Sequence, residues 1–210
     1  MKTILIAGTG SWDADDDIDW YCPTHPFVDY LIQQGVEPLF GANGKPFIWS
    51  TNLSGVPFFT RRNKTDWSAG GAALAYFIDA RVKTPGETIN VIAHSHGLQI
   101  VLYACAYYGV RVRSLISVGS PIRKDMLTVS EKARPDITHW LHIHSDFSDK
   151  WQLLGQLFDG KLDVWLQQRE HPLADSNDFV AGVGHSKLLR APEHYHYWLD
   201  RGWLDSLKDT

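Results

Sequence analysis

Cysteine is scarce in this chain, with 2 residues in 210, and so is methionine, also with 2. One possible pair, Cys22 with Cys105, is not the dense disulfide framework that staples small secreted domains. Cys22 sits in a polar, proline-containing stretch. Cys105 falls in an apolar helical pattern, where it reads as a small buried hydrophobe. Long apolar runs are missing too. Ile4-Leu5-Ile6-Ala7 near the N-terminus stops at Gly8, which is too short for the apolar region of a signal peptide. No segment approaches the roughly 18 apolar residues that span a bilayer. A cytoplasmic location is therefore the default expectation. There is no surplus of positive charge: 20 Lys and Arg against 24 Asp and Glu give a net charge of -4, without the basic excess of a nucleic-acid binder. Repeats, low-complexity tracts and linkers are absent as well. What is present is ordinary globular usage, 44% hydrophobic and 21% charged, which excludes disordered and fibrous classes. The length suits one domain, 1–210, with one sizeable core. Tryptophan, at 9 copies, fits either an apolar cleft or a Trp-rich core.

Along the chain, strand patterns alternate with helical ones. Ile4 to Ala7 reads as a buried strand bounded by Gly8-Thr9-Gly10, and Phe27 to Gln34 as a helix stopped by Gly35. Two short strands are expected around Pro38-Leu39-Phe40 and Phe47-Ile48-Trp49. Asp66 is a candidate N-cap for a helix from Trp67 to about Val82, with Trp67, Gly71, Leu74, Phe77 and Ile78 as its buried stripe. Thr88 to Ala93 is a strand, and a helix runs from near His96 to Tyr108 with Gly109 as its cap. Leu115 to Val118 and Trp140 to His144 are further strands. Helical patterns follow around Trp151 to Phe158 and Tyr195 to Leu207. This alternation predicts an α/β fold, a three-layer sandwich with a mostly parallel central sheet flanked by helices.

The most informative segment is Ile92-Ala93-His94-Ser95-His96-Gly97-Leu98, a strand that runs into a serine and at once into a helix. Such a junction forces the central residue into a strained conformation. It also brings together the residues two before and two after it, so both must be small, and here they are Ala93 and Gly97. The common pattern is Gly-x-Ser-x-Gly, and Ala93 adds one methyl to it. The turn lifts the Ser95 hydroxyl above the sheet and puts the His96 amide at a helix N-terminus, where it can stabilise an oxyanion. A serine hydroxyl needs a base to become a nucleophile. The plainer alternative is that Ser95 is an ordinary N-cap.

Ala93-His94-Ser95-His96-Gly97 resembles the nucleophile elbow of the α/β-hydrolase superfamily, close to its lipase and esterase members. Leu5-Ile6-Ala7-Gly8-Thr9-Gly10 is similar to that family's strand ending in His-Gly, with Ala7 in place of the histidine, and Ser117-Val118-Gly119-Ser120-Pro121 to its small-residue turn with proline. The resemblance implies a compact α/β-hydrolase fold in which Thr9 and His96 donate the oxyanion-hole amides. It also implies the chain order serine, acid, histidine. His185, in Val183-Gly184-His185-Ser186, fits the late loop histidine, with His171 and His194 as the alternatives. The acid follows the strand ending at His144. Asp149, before Lys150-Trp151, fits that place better than Asp146, the alternative acid. The implied activity is hydrolysis of a small-molecule acyl ester, with no cofactor, through an acyl-enzyme.

Other readings compete. Three His-x-His pairs, His94/His96, His142/His144 and His194/His196, have the strand spacing that chelates zinc. The acidic run Asp13 to Asp19 departs from a calcium loop at Ile18 and Thr24. Gly8-Thr9-Gly10 with Asp13 departs from a dinucleotide fingerprint at its third glycine. A fold of this kind also serves as a binding module once its chemistry is lost. The segments 40–66 and 151–180 are expected to wall or cap the site, with Trp49, Phe58, Phe59, Trp151 and Trp165 as apolar lining.

Overall fold

The computed structural model describes residues 1–8, 19–49, 64–82, 87–145 and 170–208. Its centre is a sheet of β1 (Lys2–Ile6), β2 (Glu37–Pro38), β3 (Ile89–His94), β4 (Val112–Val118), β5 (Ile137–Ser145) and β6 (Ser176–Val180). The spatial order is β2-β1-β3-β4-β5-β6, and every pairing among them is parallel. The helices are α1 (Pro26–Gln33), α2 (Lys64–Asp79), α3 (Gly97–Tyr108), α4 (Leu127–Ala133), α5 (Lys187–Arg190) and α6 (His196–Asp200). The chain steps outward from β1 to β2, then crosses back to β3 and proceeds to β6. With right-handed crossovers, that reversal puts helices on both faces of the sheet.

The strand residues obey the two-residue period, so each face has its own core. Ile4, Ile6, Val91 and Leu115 pack with α2, α3 and α4 on one face. Leu5, Ile92, Ile116 and Ile143 pack with α1 and the C-terminal segment on the other. Cys105 lies in the first core and Cys22 in the second, so the sheet separates the one pair that could have bridged. Helix α3 is buried from Gly97 to Ala106 because α2 covers the side the sheet leaves open. Two glycines allow that approach. A Cβ on Gly70 would stand 2.6 Å from Ile100 Cδ1, and one on Gly71 would stand 2.8 Å from Tyr103 Cβ.

Several elements differ from expectation for visible reasons. Helix α2 begins at Lys64, so Asp66 lies in its first turn and is not its cap. Phe47 to Trp49 is not a strand: Phe47 packs 5.3 Å from Phe77, and the Trp49 indole Nε1 donates to the Ala7 carbonyl at 2.8 Å. The expected helix from Tyr195 to Leu207 is broken by Gly202 at φ 67 into α6 and a 3-10 turn, Asp205–Leu207. Ser176–Val180, within the range expected to cap the site, is the edge strand β6. The expected helix at Trp151 to Phe158 lies outside the described residues. Among the described residues no helix is long and apolar enough to cross a membrane.

Candidate active site

Strand order reverses between β1 and β3, and in open parallel sheets ligands bind outside the carboxyl ends of the strands at such a switch point. Gly8 leaves β1 there, and Ser95 leaves β3. Ser95 has φ 52, the only positive φ of a non-glycine residue among the described residues. This is the left-handed region that an L side chain enters at a cost. The surroundings fix it there. The Ser95 N–H donates to the Val118 carbonyl of β4 at 3.0 Å, and Ala93 behind it is fully buried. Gly97 brings α3 directly onto β1, since a Cβ at that position would meet the Ile6 carbonyl oxygen at 2.5 Å and that of Ala7 at 3.0 Å. Gly8 is held equally close to the serine: its Cβ would stand 2.7 Å from Ser95 Cβ and 3.1 Å from Ser95 Oγ. The nearby Ala7 carbonyl is the acceptor for Trp49. Ser95 therefore turns the chain between β3 and α3 in a left-handed conformation, and the N-cap of α3 is His96.

The rings of His94 and His96 turn to opposite faces of the sheet. His96 stacks on Trp67 at 5.6 Å and 26°, in the core beneath α2. The Arg123 guanidinium also lies 5.1 Å from the Trp67 ring, paired with Asp125 at 3.0 Å. His94 meets Trp20 edge-on at 6.1 Å, in the other core. The two imidazoles therefore do not converge on a shared ion.

His185 lies half-buried in the turn between β6 and α5, with its ring 4.6 Å from that of His94. The His185 carbonyl is 3.1 Å from His94 Nε2. A carbonyl only accepts, so His94 Nε2 carries the hydrogen. Burial pushes the His94 pKa well below the usual histidine value, helped by the neighbouring His185, Arg190 and His96. The ring beside His185 is thus kept neutral.

Of the residues read from the sequence as site residues, the structure brings Ser95, His96 and His185 to the carboxyl-end edge of the sheet. Thr9, Asp146 and Asp149 lie outside the described residues. β5 ends at Ser145, which pairs in register with Val180 at the end of β6. The turn that carries His185 therefore leaves the sheet beside the end of β5.

The alternative bases are engaged elsewhere. His171 is buried against Trp140 at 4.1 Å and accepts the Leu173 N–H on Nδ1 at 3.3 Å; burial brings its pKa down to about 4. His194 ends a 3-10 turn and contacts Tyr197. His142 and His144 do share a face of β5, with rings 6.0 Å apart, but His142 Nδ1 is hydrogen-bonded with the Ser117 hydroxyl at 2.8 Å, and that hydroxyl accepts Trp140 Nε1 at 2.9 Å. Among the described residues no group of three or more His, Cys, Asp or Glu is arranged to hold a metal. Sequence reasoning missed the contact of Gly8 with Ser95, the indole of Trp49 on Ala7 and the bond from His94 to His185. Of these only Gly8 carried a signal, as a glycine closing a strand.

No protein-family model matches the chain, and no curated protein matches it. Solved structures do. Esterase PE8 is 17% identical, with a TM-score of 0.53 over 98% of this chain and 92% of that one. A dienelactone hydrolase from Anabaena variabilis is 14% identical, with a TM-score of 0.54 over 97% and 85%. A methylesterase from Arabidopsis is 11% identical, with a TM-score of 0.55 over 97% and 98%. This chain has the α/β-hydrolase fold.

Proposed function

We propose that the protein is a serine hydrolase that cleaves a small-molecule carboxylic ester. The observation that carries this reading is the left-handed Ser95 at the junction of β3 and α3, at the point where strand order reverses. Strain of this kind persists only where the surroundings over-determine it, and it clusters at reacting centres. The neighbours' names, an esterase, a dienelactone hydrolase and a methylesterase, point to the same class of reaction.

In this mechanism Ser95 Oγ attacks the ester carbonyl while His185 takes its proton. Asp149, with Asp146 as the alternative, orients the imidazole and stabilises its charged form. The amides of Thr9 and His96 hold the oxyanion, the latter at the positive end of α3. His185 then protonates the departing alkoxide, which leaves as alcohol and gives the acyl-serine. A water, deprotonated by His185, attacks that ester and releases the acid, and the proton returns to Ser95.

The experiment is a panel of acyl esters of increasing chain length, assayed with wild type and Ser95→Ala. Turnover by wild type that falls at least about a thousandfold in Ser95→Ala is the expected result for loss of the nucleophile. Equal turnover by both proteins would remove the serine mechanism.

A further inference from the structure

We infer that His94 is a positioning residue: its Nε2–H, bonded to the main-chain carbonyl of His185, ties the loop that carries the base to the strand that delivers the nucleophile. This rests on the reading of Ser95 and His185 as nucleophile and base.

The geometry gives His94 a place that no other described side chain has. It is the last residue of β3, so its backbone is fixed by pairing with Val118 of β4 and it is covalently joined to Ser95. The residue is 6% exposed and its ring is held edge-on by Trp20, which leaves it little freedom to rotate. From that fixed base, Nε2 reaches the His185 carbonyl at 3.1 Å, with Ser186 Oγ a second, more distant neighbour at 3.5 Å. The ring centroids lie 4.6 Å apart with the planes tilted by 56°, so the two imidazoles are also in contact.

The loop needs such an anchor. From the end of β6 at Val180 to the start of α5 at Lys187, it has no regular structure. Gly182, at φ 72, and Gly184 give it freedom on the side from which His185 is delivered. A base misplaced by about 1 Å costs on the order of a hundredfold in rate, and main-chain bonds within the loop do not tie it to the nucleophile. The His94 bond does so directly. Because the donor is a neutral ring, the anchor adds no positive charge where imidazolium forms on His185 during the reaction.

The test compares His94→Gln, His94→Asn and His94→Leu. A glutamine amide nitrogen takes the place of Nε2, the shorter asparagine amide does not reach it, and leucine has no donor. On the ester the protein cleaves best, Leu and Asn are expected to lower kcat by about 10- to 100-fold with KM little changed, while Gln stays close to wild type. Thermal melting checks that the variants fold. Wild-type kcat in a folded Leu or Asn variant would overturn the inference, as would a Gln variant as slow as Leu. Should the variants fail to fold, the wild type still answers. In protein labelled with ¹⁵N-histidine, the His94 ring is expected at neutral pH as the tautomer protonated on Nε2, and a proton on Nδ1 alone would overturn the assignment. Ser95→Ala is assayed in parallel. Activity that survives Ser95→Ala removes the serine reading itself, whereas activity lost in Ser95→Ala but unchanged in His94→Leu removes only the role of His94.

Discussion

Replacing Ser95 separates stability from activity. Ser95 sits at φ 52, where a Cβ costs roughly 1–2 kcal/mol relative to the right-handed region. Ser95→Ala keeps that Cβ and its strain, while Ser95→Gly removes both. Glycine also gains freedom in the unfolded chain, which takes back roughly 0.5–1 kcal/mol. The net difference is about 1 kcal/mol in favour of the glycine variant, or about 2–4 °C in Tm for a domain of this size. Both variants lose the hydroxyl, so both are expected to be inactive. Calorimetry or thermal denaturation followed by circular dichroism, on the two variants side by side, reads the difference directly. A Ser95→Gly protein that melts at or below Ser95→Ala would refute the claim that the backbone at this position is strained.

Other perturbations follow from the same geometry. In Gly97→Ala the new methyl would lie 2.5 Å from the Ile6 carbonyl oxygen. Overpacking of this kind costs about 1–3 kcal/mol, so denaturant melts should show a loss of that size together with reduced esterase activity, and unchanged stability would contradict the close approach of α3 to β1. His171 titrates near 6.5 when unfolded and at about 4 in the fold because burial disfavours its charge. Between those values the unfolded chain binds a proton that the folded chain does not, so stability falls as pH drops through this window, by about 3 kcal/mol in all. His171→Asn, which keeps an acceptor for the Leu173 amide, should lose about 2 kcal/mol less than wild type between pH 7 and pH 5 in urea titrations; equal losses would refute the assignment. Asp149→Asn should lower kcat by about a thousandfold or more while Asp146→Asn changes it less than tenfold, and the reverse pattern would make Asp146 the acid.

The sequence carried the layered α/β plan because the apolar runs Ile4–Ala7, Val91–Ala93 and Leu115–Val118 are buried on both faces and need no partner to be recognised. It carried the tight turn at Ser95 because sterics demand small residues at 93 and 97 whatever the rest of the chain does. Polar residues hid the other boundaries. β4 begins at Val112, before a bulge, since Arg113 and Ser114 bond the carbonyls of Lys208 and Ser206 at 3.2 and 2.6 Å, partners nearly a hundred residues away. β6 is an edge strand of polar sequence, stabilised partly by Asp178 pairing with Arg201 and accepting Trp203 Nε1 at 2.7 Å. His171 resembled a candidate base by its position in a polar loop, and only its packing on Trp140 reveals a core histidine. The bond from His94 to His185 joins residues 91 apart and has no local signature.

Reaction of the native protein with a fluorophosphonate, followed by mass mapping of its peptides, addresses the nucleophile most directly. The expected outcome is a single adduct on Ser95, lost in Ser95→Ala and formed far more slowly in His185→Ala. Native, folded protein that carries no adduct at Ser95, or carries it at the same rate without His185, would contradict the serine mechanism.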